Sequence, residues 1–511
     1  MPLALFFAPV CLFLGMANPF LQIPPLVIGF PFFLYLLALR ADSWCAAFRY
    51  GLFGGLAGYA ACLYWIVVPL TEQAGMSMTL ALPAPLLLGA YMGLYPALVC
   101  AVVRGLRDRL PPVMRACFAG ALWALLAYAR GVLFSGFPWA TLPSALAPWP
   151  LLLQPLSLMG PYAYAGLLAA IAALFAETVC ALRSKQQFLL PATTAVAIMV
   201  GCALWSSSVW QAPVPDEFPV RVALVQGNVD QGQKWVPAYQ NGTVSRYVEM
   251  TQGALAKTPA DLIIWPETAM PFYLQEKIEY LYRIRQMVMQ SGGSLLVGTP
   301  AYAPGTQGRK WDTMNRAYLL TPDGRMTRWY DKEHLVPFGE YLPMGLDLPF
   351  LEAFFAGTGD FQTSSATHPL RYGDNLALGV LICYETIFPE LAQQRVEEGA
   401  NLLVNISNDA WFGRTSAPEQ HLHQAILRAV EQGRYMVRGT NTGISAIIAP
   451  NGSVTIRGPL FRAAVVSGGA AAITDTTPFH YIAPFLPAIL AALCILLALP
   501  GLRKPSTPQN R

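Results

Sequence analysis

Three side chains in the second half of this chain have the types needed for acyl chemistry: Glu267, Lys332 and Cys383. A free thiol has a pKa of about 8.5, so little of it is nucleophilic thiolate at neutral pH. A neighbouring carboxylate can take the proton as attack begins. A neighbouring ammonium favours the thiolate and can hold the oxyanion of a tetrahedral intermediate. Base, electrostatic stabiliser and nucleophile are therefore all present, and together they suit transfer of an acyl group through a thioester. Taken singly, each residue has a plainer explanation: a small buried hydrophobe for the cysteine, a surface ammonium for the lysine, a helix cap for the glutamate. The combination is what points to catalysis.

Two of the three follow short apolar runs that read as buried strands. Glu267 comes after LIIWP, and Cys383 comes after LGVLI and precedes Tyr384 and Glu385. Asn405, Asn408 and Asp409 lie in a third such place, LLVNISNDAWFG. The ends of buried strands are rigid mounts for reactive groups. Lys332 sits in WYDKEHLVPFGEYLP (329–343) with His334 and Glu340, amid Pro and Gly, a texture that predicts an irregular ordered loop beside a site. Strands are predicted at 220–226, 262–265, 294–298, 317–321, 377–382, 402–406, 444–449 and 463–466. Pro322-Asp323-Gly324 and Pro450-Asn451-Gly452 read as hairpin turns, and helices are predicted over 246–256, 276–290 and 419–433. Strands with helices outside them imply a layered α/β or α+β sandwich.

The rest of the chain is of another kind. Only 12% of the 511 residues are charged and 55% are hydrophobic, about half the usual charge of a soluble protein. The deficit is concentrated before residue 206. A bilayer-spanning helix needs roughly 20 mostly apolar residues. Such stretches occur at about 3–20, 24–40, 50–70, 79–103, 114–130, 157–178, 188–206 and 481–500. The first lacks the basic flank and cleavage site of a signal peptide. The predicted organisation is a seven-helix membrane part over 1–206, a catalytic domain over 207–480, and an eighth helix with a tail over 481–511. Arg40, Arg49, Arg104, Arg107, Arg109, Arg115, Arg183, Lys185, Arg503 and Lys504 all fall in alternate connections. Lys and Arg stay on the cytoplasmic side, so both termini are expected there and the catalytic domain outside.

RGVLFSGFPWATLPSALAPWP (130–150) breaks that pattern by placing Arg130 and two Trp on the outer side. Trp and Arg suit the headgroup layer, either as an interfacial loop or as a platform with Arg130 near a lipid phosphate. The net charge of +4 has no basic block, and nucleic acid is not an expected partner. Eight of the nine cysteines lie in or beside apolar segments, leaving Cys383 alone in the catalytic stretch, without a partner for a disulfide. No Cys/His cluster suggests zinc, and no cofactor is expected.

LIIWPETAM, YDKEHLVPFGEYLP, LICYETIFPE and NISNDAWFG resemble, in order, the signature blocks of the nitrilase (carbon–nitrogen hydrolase) superfamily. With membrane helices on both sides, and with RGVLFSGFPW, nearly the whole chain looks like the apolipoprotein N-acyltransferases of the bacterial inner (cytoplasmic) membrane. The resemblance implies an eight-helix α-helical transmembrane bundle carrying a nitrilase-like αββα sandwich in the periplasm. It implies a Glu-Lys-Cys triad at Glu267, Lys332 and Cys383, with Glu340 and Glu385 supporting the site and Trp235 and Tyr384 lining it. The implied acyl donor is a phospholipid, typically phosphatidylethanolamine, and the implied acceptor is a diacylated apolipoprotein. Residues 341–359 are unusually apolar for a surface loop and are expected either to pack on the sandwich or to dip toward the bilayer as an acyl-chain gate.

Three other readings fit parts of the sequence. A membrane-tethered amidase or nitrilase would share the triad, but has little use for eight helices. A transporter is a poor fit, because segments one to seven carry few ionisable residues for a polar pathway. A Cys–His pair could use His334, His368, His421, His423 or His480, none of which sits in a papain-type signature. The topology is open to a direct check: a reporter fused near residue 300 is expected to be active only outside the cytoplasm, and activity confined to the cytoplasm would refute the orientation.

Overall fold

The change of composition near residue 210 is also a change of architecture. The computed structural model describes residues 2–185, 187–210, 218–306, 309–341, 361–363, 369–373 and 375–502. The chain divides into two units, one of Met1–Val67, Met78–Gln211 and Pro478–Arg511, the other of Val68–Ser77 and Ala212–Thr477.

The first unit is helical. Met78–Leu106, Pro112–Ser135, Leu156–Arg183, Leu189–Trp210 and Pro478–Gly501 are long and apolar enough to cross a membrane. Trp44–Cys62 and Tyr64–Gln73 would make a sixth span as a bent pair, and Pro2–Gly15 and Pro24–Arg40 are apolar but shorter. Hydropathy predicts eight crossings, and the described residues hold five or six of full length plus these two short helices. Small residues let the helices approach. A Cβ on Gly51 would lie 2.5 Å from Ala97 Cα, and one on Gly55 would lie 2.7 Å from Gly93 Cα. One buried charge pair suits a low-dielectric setting: Arg115 meets Glu177 at 2.6 Å, and the Tyr35 hydroxyl donates to the same carboxylate at 2.6 Å.

The second unit contains β1 (Phe218–Gln226), β2 (Leu262–Trp265), β3 (Ser294–Pro304), β4 (Trp311–Leu320), β5 (Met326–Asp331) and β6 (Leu370–Tyr372). It continues with β7 (Leu376–Ile382), β8 (Leu402–Ser407), β9 (Met436–Thr440), β10 (Ala446–Ile448), β11 (Val454–Arg457) and β12 (Ala464–Ala472). One sheet has the order β12-β1-β2-β3-β4-β5 and the other β11-β10-β9-β8-β7-β6. The centre of each is parallel, β1–β2–β3 and β7–β8–β9, and the flanks are antiparallel.

Side chains alternate between the faces of a strand, and both faces are apolar here. Val222, Leu224, Leu262, Ile264 and Leu296 turn toward the other sheet, where Val380, Ile382, Val404 and Ile447 meet them. Ala223, Val225, Ile263, Trp265 and Val297 turn outward to Val244, Tyr247, Ile284 and Val288, which belong to the helices Gln240–Leu255 and Ile278–Ser291. The helices Pro389–Glu397 and Ala417–Gln432 pack on the second sheet. The result is the helix–sheet–sheet–helix layering of a nitrilase-like fold.

Both predicted hairpin turns form. Thr321 N donates to the Arg325 carbonyl at 2.9 Å between β4 and β5, and Ala449 N donates to that of Ser453 at 2.9 Å between β10 and β11. Strands β5, β6, β9 and β11 differ from expectation. Trp329–Asp331, expected as irregular loop, close β5, because MTRWYD carries no apolar run to announce an edge strand. MVRGT in β9 is buried throughout although it includes an arginine. Apart from Tyr341, the stretch at 341–359 lies outside the described residues.

Ile264 is fully buried, and its Cγ2 would lie 2.8 Å from a Cβ on Gly439 of the facing sheet. Truncation to alanine should destabilise the unit by about 2–5 kcal/mol, measured by denaturant unfolding of the detergent-solubilised chain. A loss well below 1 kcal/mol would contradict the sheet-on-sheet core.

Candidate active site

Cys383 is the first residue after β7 and has φ of +52°. A non-glycine residue in this left-handed region is strained and persists only where its surroundings hold it. Several bonds do so here. Glu385 accepts from Ile382 N at 2.6 Å. The Cys383 carbonyl accepts from His421 Nε2 at 3.1 Å and from Asn405 Nδ2 at 3.5 Å. His421 Nδ1 lies 3.0 Å from Asp409 Oδ1, and Arg438 donates to Asp409 Oδ2 at 2.7 Å.

Glu267 follows β2 by two residues and is buried. Both its oxygens are fixed: Oε1 accepts from Asn315 Nδ2 at 2.8 Å, and Oε2 accepts from the main-chain N of Asn408 at 2.8 Å. Lys332 follows β5 directly, and its main-chain N donates to the Asn315 carbonyl at 2.8 Å. Only 1% of it is exposed. Its Nζ is clasped by the two oxygens of Glu340, at 2.9 and 2.8 Å, and stands 3.9 Å from Glu267 Oε1. Asn315 Nδ2 also reaches Glu340 Oε1 at 3.2 Å, so one amide links both carboxylates.

Three segments meet at Glu385, which is fully buried. Its Oε1 accepts from Tyr330 Oη at 2.8 Å, Glu333 N at 2.7 Å and His334 N at 3.0 Å, while Oε2 holds the turn at Ile382. Tyr384 is buried edge-to-face against Phe388, with ring centroids 5.1 Å apart.

The electrostatics follow from burial. Removal from water pushes the Cys383 thiol well above its ordinary range, the Glu267 charge raises it further, and Lys332 pulls the other way. The resting thiol is therefore neutral, and a base is required to turn it into a nucleophile. Burial works against the Lys332 charge, but Glu340 and then Glu267 outweigh it and raise its pKa, so it stays an ammonium.

The structure thus brings together Glu267, Lys332, Cys383, Glu340, Glu385 and Tyr384. Trp235 is 45% exposed, and no described hydrogen bond joins its side chain to the others. Arg130 belongs to the first unit, where it is buried with its guanidinium 5.4 Å above the Tyr59 ring. Asn315 and Arg438 lie inside strands, where a lone polar residue carries no pattern; the sequence marks Asp409 only as a residue past a strand end and His421 only as a candidate sulfur partner, not their joint network. Asn408 stands past a strand end, where reactive groups are expected. His421 Nε2 touches the carbonyl of Cys383, and the ring centroids of His334 and Phe388 lie 3.9 Å apart. Neither contact makes a Cys–His pair.

Two family models match the chain in succession: the N-terminal domain of apolipoprotein N-acyltransferase over residues 10–174, and carbon–nitrogen hydrolase over residues 221–468. A Geobacter metallireducens protein named apolipoprotein N-acyltransferase is 38% identical over 424 residues, covering 83% of this chain and 80% of its own. A protein of the same name from Methylococcus capsulatus is 35% identical over 84% of this chain and 82% of its own. A third, from Nitrosomonas europaea, is 34% identical over 93% and 94%. With relatives at this identity aligned over most of its length, the chain belongs to the apolipoprotein N-acyltransferase family.

Proposed function

We propose that this chain acylates lipoproteins, moving the sn-1 acyl chain of a phospholipid to the N-terminal α-amine of an S-diacylglyceryl-cysteine. The observation that carries the mechanism is the meeting of a strained, buried thiol with a doubly anchored carboxylate and a clasped ammonium. Cys383 Sγ attacks the ester carbonyl as its proton passes to Glu267. The tetrahedral oxyanion is held by Lys332 and by main-chain N–H near Tyr384. Collapse breaks the C–O bond, and Glu267 returns the proton to the departing lysophospholipid. In the second half-reaction the acceptor amine attacks the thioester and gives its proton to Glu267. The C–S bond then breaks and Cys383 regains its thiol. The two half-reactions make a ping-pong cycle in which no cofactor is invoked.

Burial of the thiol supports transfer over hydrolysis, because an acyl-enzyme shielded from water survives until the amine arrives. Hydrolysis of a soluble C–N substrate is not favoured, since relatives matched over most of the chain carry the acyltransferase name. In this reading Glu340 and Glu385 keep the lysine and the cysteine turn in place, and Tyr384 and Trp235 border the acyl and acceptor path. Arg130, with an Nη1 that no described residue hydrogen-bonds, contacts lipid phosphate. The setting is the bacterial inner membrane, crossed eight times, with the catalytic unit in the periplasm and both termini cytoplasmic.

Intact-protein mass after incubation with phosphatidylethanolamine should reveal one fatty-acyl adduct on the wild type. Cys383→Ser should show none, and Glu267→Gln should form it at least about 100-fold more slowly. An adduct on Cys383→Ser would end the proposal. Glu385→Ala strips a partner from three main-chain N–H groups and a phenol. It should cost roughly 3–5 kcal/mol in unfolding experiments and slow acyl-enzyme formation, and wild-type values for both would remove Glu385 from its role.

A further inference from the structure

Lys234 is a second lysine sealed inside this unit, and the mechanism above gives it no task. It closes the short helix Gln231–Lys234, whose start is capped by Asp230 accepting from Gly232 N at 3.0 Å and Gln233 N at 3.3 Å. The residue is 1% exposed. Its ammonium donates one long hydrogen bond, 3.4 Å, to the main-chain carbonyl of Glu267. Among the described residues no carboxylate forms an ion pair with it. Lys332, equally buried, has both oxygens of Glu340.

A buried ammonium without a counter-ion is costly and is seldom kept without a use. Burial holds the Lys234 amine down to about 8, while the charges of Glu267 and then Cys383 pull it upward. Those two groups are the titratable partners that act on it. The charge count of the pocket explains why it stays. Glu267 and Glu340 face the two ammoniums of Lys332 and Lys234, while Asp409, the other carboxylate acting on Cys383, is already paired with Arg438. When Glu267 takes the thiol proton, negative charge moves from the carboxylate to the sulfur and then to the substrate oxygen. Glu340 already occupies Lys332 at close range, so Lys332 divides its charge between that carboxylate and the sulfur, and Lys234 adds a second cation.

We propose that Lys234 is a second cation of the acyl-transfer site, moored by the Glu267 carbonyl, whose charge favours the Cys383 thiolate and the oxyanion that succeeds it. The inference rests on Cys383 being the nucleophile.

The test uses the full chain in detergent as wild type, Lys234→Met and Lys234→Arg, with Cys383→Ser as the blank. Iodoacetamide labelling of the Cys383 peptide is followed by mass across roughly pH 6 to 10. Lys234→Met should move the labelling curve up by about one pH unit, or about tenfold in rate near pH 8. Lys234→Arg should keep the wild-type curve. Because Met removes an unpaired buried charge, the Met variant should melt no lower than the wild type, which a merely structural lysine would not produce. A wild-type labelling curve for Lys234→Met, or a melting temperature that falls together with labelling, overturns the inference. Cys383 that resists labelling at every pH in a turning-over wild type would overturn the nucleophile assignment, and this inference with it.

Discussion

A single buried carboxylate, that of Glu385, sets the distance between the lysine-bearing segment and the cysteine turn. One oxygen collects Tyr330, Glu333 and His334, and the other holds Ile382, the residue before Cys383. Each donor would otherwise be an unsatisfied group in the interior, at about 1–3 kcal/mol apiece. Tyr330 in turn accepts from Arg395 at 2.9 Å, and Arg395 also reaches Glu333 at 2.7 Å. The left-handed backbone at Cys383 is thus tied to β5 on one side and, through His421 and Asn405, to the second sheet on the other.

Within that frame the reacting groups differ in freedom. Glu267 has both oxygens engaged by neutral donors, an amide side chain and a main-chain N–H. Neutral donors orient a carboxylate and leave it free to accept a proton, as the proposed mechanism requires. Lys332 is gripped by Glu340, which keeps it charged in a setting where burial alone would strip the proton. Cys383 is left neutral by the same burial. Thiol and ammonium therefore reach opposite states under one physical cause, removal from water, with the outcome at Lys332 decided by its carboxylate partners.

The sequence made much of this legible. LIIW and LGVLI are apolar on both faces because each strand is covered on both sides, so they stand out from the chain around them and mark the residues that follow. The hairpin turns were legible for the same local reason: Pro-Asp-Gly and Pro-Asn-Gly specify a turn wherever they stand. Strand β5 was hidden because an edge strand of mixed polarity has no apolar signature, and with it the fact that Lys332 stands directly at the end of a sheet strand. Asn315, Lys234 and Arg438 were illegible for a different reason. Each earns its place through partners far away in sequence, and neither residue type nor spacing records such partners. In the membrane unit, hydropathy marked where apolar helices lie, while the full length of the first two was beyond it.

The pairing of β1 with β12 runs without interruption from Phe218 opposite Ala472 to Gln226 opposite Ala464. The segment that enters this unit and the segment that leaves it therefore lie side by side at one end of the same ladder. During synthesis β1 can meet β2 early, but its other edge stays bare until almost the whole unit has been made. Closing that edge is a long-range step, slow by nature. For that interval a strand of FPVRVALVQ has one row of main-chain donors and acceptors open to other chains.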